Sequence, residues 1–458
     1  MQPKLFRQID ISALVFFRIA FGILAMAEAM ALFFFYHLHE KTFEPDSFHF
    51  KYYGFEWVQP FPEPWMSIFF SILVLSAIFI TLGKWYRLAT IIYATFFIYT
   101  FLIEKTMYLN HGYLLCWLAA TMIFLPANRA FSLDVLKDPA IRRTTVPAWC
   151  IWILCFYMGV VYFFGGIAKI NPDWLEAIPL KLWLQAKGRM PVIGPILKQE
   201  WVAWVMSYTG LLLDLFVVFF LLLRKTRIYA FLFAVAFHLV NFLIFNIGIF
   251  PWLSICLTLL FFPSDSPRKW VKYLGDKIKF IRRWENAWQN RVADFLPNQS
   301  GLWQENPNNH KPILMVFVFL AGFHCIYPLR HHFIKDNVAW TEEGHRYAWR
   351  MMLRTKYGRA EFTVKTLDTG ETFVINPKDS LSPDQGNDLV SHPDMILQYA
   401  HHLRDQYQEK LGKPVAVYAE ARVRLNGKDY QDYINPEVDL AAEEWSFFKH
   451  AEWILPYK

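Results

Sequence analysis

Lys169 stands where a long apolar run stops, in Gly165-Gly166-Ile167-Ala168-Lys169-Ile170-Asn171-Pro172-Asp173-Trp174. A lysine there can lose solvation, which disfavours the ammonium form and frees an amine to act as a base. The alternative is a snorkelling lysine with its head among lipid headgroups. Asn110-His111 precedes Gly112-Tyr113-Leu114. With a helix starting near Gly112, the His111 ring sits at its amino end, where the dipole favours neutral imidazole able to donate to developing negative charge. Membership of an interfacial belt with Tyr108 and Tyr113 is the competing reading. His238 and Asn241 are three apart inside an apolar run, so they share a helix face that points into protein or a cavity, or into helix–helix hydrogen bonds. His331-His332 follows the last apolar run, ahead of Trp340-Thr341 and Trp349-Arg350-Met351-Met352. Adjacent histidines cannot both face one metal on a helix or strand, no other spacing suits zinc, and His401-His402 reads as a solvated helix face.

These residues must be positioned by a membrane domain. The 458 residues are 55% hydrophobic and 19% aromatic, with a mean hydropathy of +0.21, too apolar for an ordinary soluble protein. Candidate spans lie near 12–36, 65–82, 88–104, 113–125, 148–168, 201–223, 228–246, 249–263 and 312–330. These make nine, or eight, since 113–125 and 249–263 are short for the roughly 20 residues a crossing needs. The first block is too long for a cleavable signal, and carries Arg18 and Glu28 without a cleavage pattern. The net charge of +7 is no nucleic-acid signal, because the basic residues fall in short loops.

Those loops orient the chain. With Lys4 and Arg7 inside, the inner side receives Lys84, Arg87, Arg129, Lys137, Arg142, Arg143, Arg224, Lys225, Arg227 and the basic segment 264–311. The outer side receives 37–64 with Glu40, Glu44, Asp46, Glu56 and Glu63, then 105–112, 169–200, 247–248 and everything after 331, in keeping with the positive-inside rule. Alternation therefore sets Asn110, His111, Lys169, Asn246, His331 and His332 at one outer level, with His238 below. The Asn298-Gln299-Ser300 sequon then falls inside and is discounted. Within 264–311, Arg268 to Trp284 alternates basic and aromatic residues, as suits a helix lying on an anionic leaflet. Cys116, Cys150, Cys155, Cys256 and Cys325 lie within apolar blocks, so the outer domain has no disulfide of its own.

After about 340 the texture changes to alternating segments. Residues 360–367 and 371–375 flank Asp368-Thr369-Gly370, and 415–425 and 430–434 flank Asn426-Gly427, two hairpin signals. Between them 394–411 reads as a helix closed by Gly412. The expected fold is a membrane α-helical bundle over 1–330, with 264–311 as inner connector. A β-rich, sandwich-like extracytoplasmic domain with one helix follows over 331–458.

The chain resembles the vitamin K-dependent γ-glutamyl carboxylase (HTTM-domain) family. The resemblance rests on Asn110-His111-x-Tyr113-Leu114, Ala127-Asn128-x-x-x-Ser132-Leu133-Asp134, Ala168-Lys169-Ile-Asn-Pro-Asp173-Trp174, His238-x-x-Asn241, Ile247-Gly248-x-Phe250-Pro251, Trp340-Thr341 and Trp349-x-Met351-Met352. It continues through Asp394-Met395-x-x-Gln398-Tyr399-Ala400 and Asn435-Pro436-x-Val438-Asp439. It implies an integral-membrane enzyme acting on a glutamate-containing protein or peptide, with no nucleic-acid partner. Oxidation of reduced vitamin K (phylloquinol or menaquinol) by O2 to its epoxide would drive addition of CO2 to glutamate. The matches imply Lys169 as the base and His111, with Asn110, as its catalytic neighbours. His238, one of His331 and His332, Trp340, Met351 and Met352 match residues near the quinol and glutamate. The chain departs from the animal enzymes in lacking an outer-domain cysteine and in its shorter C-terminal part, so their propeptide-binding surface is not carried over. A bacterial origin with a periplasmic site is expected, or a lumenal site in the endoplasmic reticulum if the source is eukaryotic. Two other readings remain open: a protein that epoxidises quinol without carboxylating, and a transporter or tether.

Overall fold

The structure, a computed structural model, describes residues 4–35, 47–280, 282–283, 286–288, 301–303 and 306–458. Glu40, Glu44, Asp46, Trp284 and the sequon at Asn298 lie outside the described residues. Among the described residues, seven helices are long and apolar enough to cross a membrane: Ser12–Phe34, Trp65–Leu82, Tyr86–Ile103, Trp149–Ala168, Glu200–Leu222, Arg227–Ile244 and Pro307–Phe333. Their outward faces carry exposed Leu212, Phe216, Phe219, Met315 and Phe319, as contact with lipid requires. The two short runs form the helices Asn110–Met122 and Phe250–Leu259, of 13 and 10 residues. At about 1.5 Å per residue, neither matches the hydrocarbon thickness. Each nevertheless returns the chain between the two ends of the bundle. The first ends where the Tyr86 hydroxyl donates to the Met122 carbonyl at 2.8 Å. The second begins beside His111 and leads to Ser264, whose carbonyl accepts from the Ala13 amide at 3.1 Å.

One end of the bundle is clasped by residues of the segment 127–134. Arg18 donates to the carbonyls of Ala127, Ala130 and Phe131. Asp134 accepts from the amides of Trp85 and Tyr86 at 2.7 and 3.1 Å, which satisfies orphan donors at the start of the Tyr86–Ile103 helix. Strands β1 (Gln8–Asp10) and β2 (Thr145–Pro147) pair antiparallel there.

The C-terminal sheet comprises β3 (Lys356–Thr366), β4 (Thr372–Ile375), β5 (Val415–Leu425) and β6 (Gln431–Asp432), in the order β4-β3-β5-β6 and antiparallel throughout. Asn426 and Gly427 take φ of 49° and 76°, the left-handed pair a two-residue hairpin turn needs. Period-two alternation buries Phe362 and Val364 of β3 and Val417, Ala419, Ala421 and Val423 of β5. They pack against Met395, Ile396, Tyr399, Ala400 and Leu403 of the helix Pro393–Leu411, which Gly412 ends at φ 66°. The β-rich part is thus a four-stranded sheet covered by the apolar stripe of this helix.

Polar contacts seat this domain on the bundle. Asp394 accepts from Lys105 Nζ at 2.6 Å and from Arg346 at 2.7 Å. Burial alone would raise the Asp394 carboxyl, but Arg346 and Lys105 hold it well below the ordinary carboxylate value. Gln398 exchanges two hydrogen bonds with the Lys51 backbone, and Gln385 reaches Glu104 at 3.0 Å.

Candidate functional site

Lys169 caps the helix Trp149–Ala168, and its side chain folds back along it. The ammonium donates to the Gly165 carbonyl at 3.2 Å and to Asp214 Oδ2 at 2.6 Å, and lies 5.3 Å from the Trp174 ring centroid. Only 7% of Lys169 is exposed. Asp214 sits mid-helix in Glu200–Leu222 and was not anticipated from the sequence, so the lone amine expected there has a carboxylate partner. Small residues bring the two together. A Cβ on Gly166 would lie 2.8 Å from the Leu215 amide nitrogen, and one on Gly165 would lie 3.1 Å from Asp214 Oδ2. After the lysine, Asn171 caps the next turn by accepting from the Trp174 amide at 3.0 Å. Asp173 accepts from Asn426 of the outer domain at 2.6 Å, so these motif residues hold the backbone that carries Lys169.

Lys169 and Asp214 face a cavity of about 980 Å³ that also meets Asn110, His111, His238, Asn241, Asn246, Met351 and Met352. The helix bearing His111 starts at Asn110, two residues before the expected Gly112, so the ring does lie in its first turn. His111 Nε2 is 3.7 Å from Glu28 Oε1, a second intramembrane acid. Gly248 lies against the same ring at φ +57°, a left-handed backbone position that suits glycine. Asn110 accepts from the Tyr108 hydroxyl at 3.2 Å, and that oxygen accepts from the Tyr347 amide at 2.7 Å. His238 Nε2 shares a 2.7 Å hydrogen bond with the Tyr162 hydroxyl, while its buried Nδ1 has no partner among the described residues.

Three sequence candidates stand apart from this cavity. Trp340 is fully buried in the outer-domain core, donating to the Leu455 carbonyl at 2.7 Å and packed on Tyr433 and Tyr457. His331 and His332 stack at 4.1 Å beside a separate cavity of about 300 Å³, on the far side of Ala168 and Asn171. Chain order places these three near the lysine, but only the packing decides which surface each meets.

The roof of the main cavity is charged, and the sequence did not single out its members. It comprises Lys105, His345, Arg346, Arg350, Arg354, Asp388 and His392. Arg354 forms a two-pronged pair with Glu342. Burial, helped by Arg354, holds His345 well below its usual value, and burial with Arg346 takes His392 down to about 3, so both are neutral donors or acceptors at ordinary pH. The floor is apolar, with Leu32, Phe97, Phe101, Ile249 and Phe250. An apolar chamber in the bundle, with one basic–acidic pair and a cationic ceiling, suits a lipid-soluble ring below and an anionic, water-borne group above.

The HTTM domain family model matches residues 6–266, and that of the vitamin K-dependent gamma-carboxylase lumenal domain matches residues 309–458. The chain belongs to the vitamin K-dependent gamma-carboxylase family with an HTTM domain. No solved structure matches the chain. In this carboxylase-family protein the long apolar helices make the HTTM part an integral-membrane unit, and all the roof residues of the cavity except Lys105 come from the lumenal-domain part. Asp214, Glu28 and Tyr162 were missed for one reason: hydropathy averages over them. The usable signal for the two acids was a single carboxylate inside an otherwise apolar span, which is costly unless it serves a partner or a reaction.

Proposed function

We propose that this protein is an integral-membrane γ-glutamyl carboxylase. It would couple oxidation of reduced vitamin K or menaquinol by O2 to addition of CO2 to glutamates of a protein or peptide in the outer compartment. The residues fit the quinol: the floor of the cavity is apolar, and the unpartnered His238 Nδ1 offers a buried hydrogen-bonding atom to a ring oxygen. When bound, the quinol supplies through its oxidation the strong base that a side-chain amine cannot be.

The observation that carries the reading is the buried Lys169–Asp214 pair in the wall of that cavity. Proton transfer along their hydrogen bond turns two buried charges into an amine and a carboxylic acid, which lowers the desolvation cost and leaves Lys169 Nζ able to take the quinol hydroxyl proton. Asn110 and His111 would offer an amide and a ring nitrogen to a quinol oxygen, with Glu28 Oε1 3.7 Å from His111 Nε2. Met351 and Met352 form adaptable apolar surface between ring and substrate. Trp340, His331 and His332, away from the cavity, are left out of this site.

Lys169→Ala is expected to abolish epoxide formation from reduced vitamin K, with partial recovery on adding small primary amines. Asp214→Asn should lower the rate by about 100-fold, the scale of a lost proton-transfer partner. Full activity in Lys169→Ala would remove the base assignment.

A further inference from the structure

Arg350 is the buried cation of the roof that lacks an anion. Arg346 and Lys105 pair with Asp394, and Arg354 with Glu342, whereas Arg350 has no carboxylate partner among the described residues. Its nearest polar contact is His331 Nε2 at 3.4 Å, and its Nε is buried without a partner. The residue is 8% exposed. Burial lowers its pKa only to about 10, with Glu342 opposing, and the guanidinium stays charged at any ordinary pH.

Its position adds a second, independent pointer. Arg350 borders both the main cavity and the smaller one beside His331 and Asn171. It precedes Met351, whose Cε would lie 3.3 Å from a Cβ on Gly165, the residue whose carbonyl accepts from Lys169. An unpaired buried guanidinium bordering two cavities, the larger of which the proposed base also lines, is a preformed site for a carboxylate, which its planar fork matches in two-pronged fashion.

We infer that Arg350 binds the side-chain carboxylate of the substrate glutamate and stabilises the charge that builds on it during reaction. This rests on the carboxylase reading and deepens it. Removal of a γ-hydrogen as a proton, taken up by the base that quinol oxidation supplies, leaves the C–H electron pair on a carbon already bonded to a carboxylate. The pair delocalises into that carboxylate, giving a dianion, and then forms the new C–C bond to CO2. A cation fixed against the carboxylate interacts more strongly with the dianion than with the resting monoanion, which is the differential binding that accelerates a step. It would also favour an acid over an amide, because a glutamine side chain would leave the guanidinium buried and unpaired.

The test uses the full-length protein in detergent or nanodiscs, with N- and C-blocked glutamate and its glutamine isostere as probes. Binding to the wild type, read by calorimetry, should favour the glutamate at least about tenfold, and Arg350→Gln should erase that preference. In turnover, Arg350→Gln should raise KM for a glutamate peptide and lower the CO2 fixed per epoxide formed, while Arg350→Lys restores part of both. Wild-type binding needs no variant to fold and no turnover. Acid-selective binding without carboxylation would sink the carboxylase reading and leave the carboxylate site standing. Equal binding of the two probes, or wild-type KM and coupling in Arg350→Gln, would overturn the assignment.

Discussion

Asp388 shows at the residue scale how the cavity is kept at the expense of stability. Burial pushes its carboxyl up to about 6, with Arg346 and Arg354 pulling the other way. Between the ordinary value of 3.8 and about 6 the folded chain holds a proton that the unfolded chain has lost. The group's contribution is therefore most favourable below pH 4 and is lost as pH rises through 6, at a cost of up to about 3 kcal/mol. Asp388→Asn should match the wild type in thermal unfolding near pH 4 and exceed it above pH 7. A gap that does not widen with pH would contradict this. Residue-level legibility followed the same divide between type and environment. Lys169, Asn110, His111 and His238, which line one cavity, stood out in the sequence as polar groups at the edge of, or within, apolar runs. Asp214 and Arg350 did not, because their meaning lies in what faces them: Asp214 looks like a blemish in a leucine-rich span, and Arg350 like one more basic residue between Trp349 and Met351.

At the scale of elements, two helices closing on their glycines set the lysine–aspartate distance. A Cβ on Gly166 would press on the Leu215 backbone at 2.8 Å, whereas one on Gly159, two turns earlier on the same helix, would meet only a Val218 methyl at 3.8 Å. Gly166→Ala is accordingly expected to cost about 1–3 kcal/mol through overpacking. It should slow quinol oxidation at least about tenfold by shifting Asp214 from Lys169. Gly159→Ala should be tolerated. Parallel melting and epoxidation assays check this, and equal behaviour of the two variants would contradict it. Both hairpins, the 393–411 helix and its glycine stop were legible because turn chemistry and period-two alternation are local signals. The pairing of Trp149–Ala168 with Glu200–Leu222 was not, since hydropathy reports that a helix is apolar and says nothing of its neighbour.

At the scale of the whole molecule, the reaction needs both halves. The bundle contributes the apolar floor, the Lys169–Asp214 pair and Lys105, and the C-terminal part contributes the other roof residues. The Lys105–Asp394–Arg346 cluster registers one against the other. The division into an apolar and an alternating part was readable from texture alone. That the two enclose one chamber was not, because the contacts joining Lys105 to Asp394 and Asp173 to Asn426 span most of the chain. The most direct test supplies purified, lipid-supported protein with reduced vitamin K, O2, labelled bicarbonate and a glutamate peptide, and measures epoxide and fixed label together. Both products should appear, and both should disappear in Lys169→Ala. Neither product from a folded wild-type sample would contradict the account, and epoxide without fixed label would confine it to quinol oxidation.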